Sequence, residues 1–123
     1  MTCISMIFQV GLPQWFPGSD ECALITGSSI TFYADKEFKK SSTQAQMLHI
    51  EKLANFEISP NSEGRQNVAC FARGVKGGPA SVKIHPRGGY KPNDKLCNKS
   101  FYKADKATLR WNNKGNLVIC YYF

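Results

Sequence analysis

One arrangement occurs three times in this chain and limits what it can fold into: a large apolar anchor, a short polar turn, then an apolar run. The first copy is Trp15-Phe16-Pro17-Gly18-Ser19-Asp20-Glu21 leading into Cys22-Ala23-Leu24-Ile25. The second runs from Phe56-Glu57-Ile58-Ser59-Pro60-Asn61 to Val68-Ala69-Cys70-Phe71-Ala72, and the third from Leu109-Arg110-Trp111-Asn112-Asn113-Lys114-Gly115 to Leu117-Val118-Ile119-Cys120. Residues such as Pro, Gly, Asn and Asp reverse a chain because they preset φ, accept positive φ or bond their own backbone. Each copy therefore reads as a β-hairpin, near residues 15–25, 56–72 and 107–120.

With Trp15, Ile58 and Trp111 as equivalent anchors, the spacings are 43 and 53 residues. The first lies near the ~40–45 residues of a WD-type propeller blade. A second alternating strand follows each of the first two hairpins, at Ile30-Thr31-Phe32-Tyr33 and at Ala80-Ser81-Val82-Lys83-Ile84-His85, with Gln46-Met47-Leu48-His49-Ile50 as an outer strand and Lys52-Leu53-Ala54-Asn55 as a connection. The expected fold is all-β, built of antiparallel four-stranded blades of a WD40-like β-propeller. Closure needs at least ~4 blades, so residues 1–123 read as a single incomplete propeller domain of about two to three blades, an open fragment whose strand edges make the isolated chain marginally stable or prone to associate.

The third hairpin is the plainest. Alternation in Ala107-Thr108-Leu109-Arg110-Trp111 puts Ala107, Leu109 and Trp111 on one face and Thr108 and Arg110 on the other. A basic approach segment from Asn98 precedes it. The prolines and glycines of residues 85–98 read as a long irregular loop inserted between blades, which lengthens the second spacing. Helix formers are frequent in Asp35–Lys40 and Ser42–Leu53 but show no sustained apolar stripe, so only the second could carry a short helix.

Charge is unevenly spread. Residues 1–61 carry four Lys or Arg against six carboxylates, and residues 62–123 carry twelve against three. Such asymmetry favours a polyanionic partner for the second half. The five cysteines, Cys3, Cys22, Cys70, Cys97 and Cys120, include no C-x-x-C pair, which argues for reduced core thiols in the cytosol rather than a disulfide framework or zinc site. No cofactor or metal is expected. The apolar start is interrupted by Thr2, Ser5, Gln9, Gly11 and Pro13 and has no charged n-region, so neither a membrane span nor a signal peptide is expected.

The basic set Lys83, Arg87, Lys91, Lys95, Lys99, Lys103, Lys106, Arg110 and Lys114 is interleaved with Tyr90, Phe101 and Tyr102. Cations of this kind neutralise phosphates while an exposed ring stacks on an unpaired base. The competing reading makes the lysines a solvated edge and Phe101 a core anchor. Three function classes follow: an RNA-binding module, a structural or protein-interaction module, and, least favoured, an RNA-cleaving enzyme using His49 and His85. No catalytic nucleophile pattern is present. Gly74-Val75-Lys76-Gly77-Gly78-Pro79 lacks the P-loop spacing and precedes a strand, and Asn98-Lys99-Ser100 matches the N-glycosylation triplet only weakly.

Two stretches carry a resemblance. Gly74-Val75-Lys76-Gly77-Gly78-Pro79-Ala80-Ser81-Val82-Lys83-Ile84, followed by Asn98-Lys99-Ser100-Phe101-Tyr102-Lys103-Ala104-Asp105-Lys106-Ala107-Thr108-Leu109-Arg110-Trp111-Asn112, resembles the WD-repeat propeller of the eukaryotic translation initiation factor 2A family. The first half is similar more loosely, through Trp15, Ser19-Asp20-Glu21, Ile30–Tyr33 with Lys36–Phe38, and Leu48-His49-Ile50 before Phe56–Pro60, so the likeness spans roughly residues 9–119. It extends more faintly to the B subunit of initiation factor three. Met1–Val10 has no counterpart, Tyr121-Tyr122-Phe123 falls in mid-blade, and nothing matches the family's basic helical tail. The resemblance implies a cytoplasmic, non-catalytic factor that helps bring initiator tRNA to the small ribosomal subunit. It also implies mRNA and other initiation factors as partners, no bound nucleotide and no membrane.

Overall fold

The computed structural model describes residues 13–33, 46–60, 66–102, 104 and 106–122. The expected features that fall on Met1–Val10, Cys3, Asp35–Lys40, residues 42–45, Asn61, Lys103 and Asp105 lie outside them.

Among the described residues ten strands fall into three antiparallel sheets. The first holds β1 (Gln14–Trp15), β2 (Cys22–Thr26), β3 (Ser29–Tyr33) and β4 (Gln46–His49) in that order. The second holds β5 (Leu53–Ile58), β6 (Asn67–Ala72), β7 (Ala80–Pro86) and β8 (Cys97–Phe101), again in sequence order, and β9 (Ala107–Trp111) pairs with β10 (Val118–Tyr122). Two four-stranded blades and a two-stranded hairpin of a β-propeller are therefore present among the described residues. Trp15, Ile58 and Trp111 each end the first strand of a sheet, which makes them equivalent positions.

The turns that reverse the chain follow from local residue chemistry. Pro17-Gly18 closes β1 onto β2, with Gly18 at φ 78° and the Ser19 amide donating to Phe16 O at 3.1 Å. This is a type II geometry, in which proline presets the first central residue and glycine takes the positive φ of the second. In the β9–β10 turn the Gly115 amide donates to Asn112 O at 3.0 Å, and Asn112 Oδ1 accepts from the amides of Asn116 and Leu117, each at 3.1 Å.

The sheets stack face to face, and that decides the burial pattern. In β6, Val68, Cys70 and Ala72 pack in one apolar cluster with Phe16, Ala23, Ile30, Phe32, Leu48 and Phe56. The alternate residues Ala69 and Phe71 pack in another with Ala80, Val82, Ala104 and Leu109. A strand covered on both faces reads as a continuous apolar run, so Val68–Ala72 carries no polar alternation.

Several expectations are corrected. Ile30–Tyr33 does not alternate in exposure, since all of β3 is buried; the polar members are satisfied, with Thr31 Oγ1 2.8 Å from Thr26 Oγ1 and Ser29 Oγ 3.2 Å from His49 Nδ1. Leu53–Asn55 is not a connection but the start of β5, whereas Gln46–His49 forms the outer strand expected there. The buried ring of the first anchor is Phe16, while Trp15 is exposed. Cys97–Phe101 is the outer strand of the second blade, not an approach to the hairpin. Residues 87–96 connect β7 to β8 inside that blade rather than between blades, and match a connection of similar length between β3 and β4. The added residues of the second repeat lie chiefly between β6 and β7, where Arg73–Pro79 replaces the Gly27-Ser28 turn. Cys22 and Cys70 are buried, Cys120 is half-buried and Cys97 is exposed, all as free thiols.

Candidate nucleic-acid interface

Because the strands alternate in direction, all connections emerge at two ends of the blades. Of the described residues, one end carries 16–21, 59–60, 66, 87–96 and 112–117; the other carries 27–28, 50–52, 73–79, 102, 104 and 106. The basic set expected from the sequence is divided between these ends, the outer edge and the interior.

Three of its members are tied into the fold: Lys83 and Tyr90 are half-buried, and Arg87, though exposed, is held between the blades. Lys83 on β7 is half-buried and its Nζ donates to Ser81 Oγ at 2.7 Å; burial, reinforced by the Lys95 charge, lowers its pKa. Tyr90 packs on the first cluster with its ring centroid 5.1 Å from that of Phe32, and burial, with the Glu21 charge, raises its phenol. Arg87 joins the two blades. Its guanidinium lies 4.4 Å from the Phe16 ring centroid, pairs with Glu21 Oε1 at 2.6 Å, donates to Ser19 Oγ at 3.3 Å and bonds Gln66 Oε1.

The others are exposed. Lys91 and Lys95 flank a single 3-10 turn, Pro92–Asp94, in which the Lys91 amide donates to Asp94 Oδ2 at 3.2 Å and Lys95 Nζ to Pro92 O at 3.5 Å. Lys114 sits in the β9–β10 turn at the same end. Lys99 stands on the outer strand β8, Arg110 on β9, and Lys106 at the opposite end beside Tyr102, which is 83% exposed. Arg110 offsets the burial that raises the Glu57 carboxyl. Phe101 is half-buried against the second cluster, a core anchor as its alternative reading held. Lys103 lies outside the described residues.

Sequence reasoning missed three cations at that opposite end, Lys52, Arg73 and Lys76, all exposed. Lys52 opens the stretch that reads locally as a connection, and Lys76 sits in a glycine loop that lacks the P-loop spacing and bears on the family resemblance rather than on a site. The signal available was topological: every second connection shares an end.

The two histidines are in different sheets. His85 is buried on β7 with Nδ1–H donating to Gly89 O at 3.1 Å, and burial lowers its pKa; His49 on β4 faces Ser29. Among the described residues no group of three or more His, Cys, Asp or Glu side chains is placed to hold a metal ion. No described helix is long and apolar enough to cross a membrane.

Stacked antiparallel blades with the first strand of each on the inside, and exposed cations at their turns and outer edge, define a WD-type propeller segment. No protein-family model matches the chain. It is 30% identical over 108 residues to eukaryotic translation initiation factor 2A of Caenorhabditis elegans, covering 87% of this chain and 18% of that protein. The same factor of Schizosaccharomyces pombe is 30% identical over 97 residues, covering 79% and 16%. A crystal structure of a eukaryotic initiation factor superposes with a TM-score of 0.73 at 28% identity, over 90% of this chain and 28% of that one. The chain is homologous to part of eukaryotic translation initiation factor 2A and spans less than a fifth of the length of these curated relatives.

Proposed function

We propose that this chain acts in translation initiation as a non-catalytic propeller segment that binds RNA, assisting initiator tRNA delivery to the small ribosomal subunit alongside other initiation factors in the cytoplasm. The observation that carries the reading is the display of exposed cations in the second half: Lys91, Lys95, Lys99, Lys106, Arg110 and Lys114 face solvent. A phosphate backbone takes up such charges with release of counterions, so affinity falls steeply with salt. The test is binding of the chain to initiator tRNA and to an unstructured RNA across a salt series. A log–log slope of at least about −2, from three or more neutralised phosphates at ~0.7–0.9 each, supports the reading. Absent or salt-independent binding overturns it.

A second reading has its own observation. Leu117, Ile119 and Tyr121 are 56%, 44% and 55% exposed on the β9–β10 hairpin, and β10 pairs with one described strand only. An apolar face beside an open edge suits a protein partner adding strands. Capture of an initiation factor by the purified chain that survives nuclease treatment, and is lost in I119D/Y121D, favours this second reading.

A further inference from the structure

We propose that the end of the blades bearing Lys52, Lys76, Tyr102 and Lys106 is a binding surface for single-stranded RNA, with the lysines on successive phosphates and the tyrosine stacked on a base. This rests on the reading above that the chain binds RNA, and assigns that binding to a surface mostly outside the basic set read from the sequence.

The first observation is conformational. Lys52 has φ 62° and Lys76 φ 51°, and they are the described non-glycine residues with positive φ. Lys52 is the third residue of a turn closed by the Leu53 amide on Ile50 O at 3.1 Å, a place that glycine or asparagine ordinarily fills. Lys76 and Gly77 (φ 79°) are the central pair of a turn closed by the Gly78 amide on Val75 O at 2.9 Å. Positive φ at both central positions makes this type I′, for which Asn-Gly and Gly-Gly are the usual solutions. A lysine in the left-handed region costs on the order of 1 kcal/mol. Neither turn gains anything from a lysine as a turn residue; what lysine brings to both places is an outward charge.

The second observation is placement. The Arg73 amide donates to Lys52 O at 2.9 Å, so the connections that carry the two turns are bonded to each other. The connection from β8 to β9 emerges next to them and is held by Ala104, buried in the second cluster with Ala80 and Leu109. Tyr102 and Lys106 flank that fixed point and are both exposed. Among the described residues of these connections Glu51 is the sole carboxylate. At the other end, Asp20, Glu21 and Asp94 accompany the cations, and both Arg87 and Tyr90 are spent on holding the blades together. Clustered cations beside an accessible ring are what a sequence-tolerant single-strand site uses, and an acidic peptide would leave the ring idle.

The test is fluorescence anisotropy of the full chain with a labelled oligouridylate of ~12 nucleotides. K52G/K76G should weaken binding about tenfold and flatten the log–log salt slope by about 1.4, at ~0.7 per lost phosphate contact. Its melting temperature should be held or raised, because glycine suits both turns, so lost binding is not lost folding. Y102A should weaken binding at least about fivefold with no change of salt slope, and Y102F should restore it. L96S, an exposed side chain at the other end and outside both cation sets, should stay within twofold of the unaltered chain, and K91S/K95S/K114S should lose less affinity than K52G/K76G. The assignment is overturned if K52G/K76G and Y102A bind normally while K91S/K95S/K114S does not, or if polyglutamate of equal length competes as well as RNA. Absence of RNA binding by the unaltered chain instead fails the parent reading.

Discussion

The two seams of the second blade are built differently. Toward the first blade the seam is large and aromatic, with Phe16, Phe32, Leu48 and Phe56 buried and Tyr90 laid on Phe32. It is also tied by polar side chains. Gln14 Nε2 donates to Phe56 O at 2.7 Å while its Oε1 accepts from the Ile58 amide at 3.0 Å, Gln66 Nε2 donates to Pro17 O at 3.1 Å, and Arg87 spans Glu21, Ser19 and Phe16. Toward the hairpin the seam is made of small residues, Ala69, Ala80, Val82 and Ala104, around Phe71 and Leu109. Its polar ties among the described residues include Trp111 Nε1 to Glu57 O at 2.9 Å and Asn55 Nδ2 to Ala107 O at 3.2 Å. Small residues let sheets approach closely but leave Phe71 as the one fully buried ring of that cluster, with Phe101 and Trp111 only partly buried against it, whereas the first seam buries Phe16, Phe32 and Phe56 together.

This difference sets an order of mutational effects. Phe71→Ala should be the largest, costing about 3–5 kcal/mol, since the alanines around it cannot close the cavity. Urea unfolding of the variant should show a lowered midpoint, and early loss of hydrogen-exchange protection in β9 and β10 would localise the failure to the second seam. A midpoint unchanged from the parent would mean the seam does not depend on its ring.

Arg87→Ala should cost about 1–2 kcal/mol, combining a cation–π contact with a partly exposed ion pair. Part of that loss should vanish at high salt, because the Glu21 pair is screened. Trp111→Phe keeps an aromatic side chain but replaces the indole by a smaller phenyl and removes the donor to Glu57 O, so about 1–2 kcal/mol is expected from the same unfolding measurement. Equal responses of both seams to their polar variants would erase the contrast drawn here.

The smallest effect concerns pH. His85 is pushed below its usual value of 6.5 by burial, against which the Gly89 carbonyl and Asp94 pull upward while Lys95 and Lys83 add to the lowering. With the folded pKa depressed, the unfolded chain takes up the proton first, so stability is level above about pH 6.5 and declines as pH falls below it. Unfolding midpoints between pH 5 and 8 should show that decline, and His85→Gln should flatten it. The Cys70 thiol, raised to about 12 by burial, should stay unreactive to alkylation in the folded chain while exposed Cys97 is modified.

Much of this architecture is written locally. Pro17-Gly18 and Asn112–Gly115 specify their turns, Ala107–Trp111 alternates because one face is buried, and the equivalence of Trp15, Ile58 and Trp111 follows from the repeated anchor, turn and strand arrangement. Ile30–Tyr33 misled because both faces of β3 are covered, and Leu53–Asn55 because β4 and β5 are joined by a turn of three residues whose third member, Lys52, is not a turn former.

The candidate surface was less legible, for a reason of distance along the chain. Arg87 and Tyr90 read as exposed members of a basic, aromatic loop, yet their partners Glu21 and Phe32 come from another blade, Glu21 being 66 residues away. No local pattern announces such a contact. The sequence by itself determined the strands, the turns, the repeat and the charge of the second half. Only the stacking of blades decided which cations became inter-blade ties and which were left at a common end, because strand direction sends successive connections to opposite ends and face-to-face packing selects the side chains it buries.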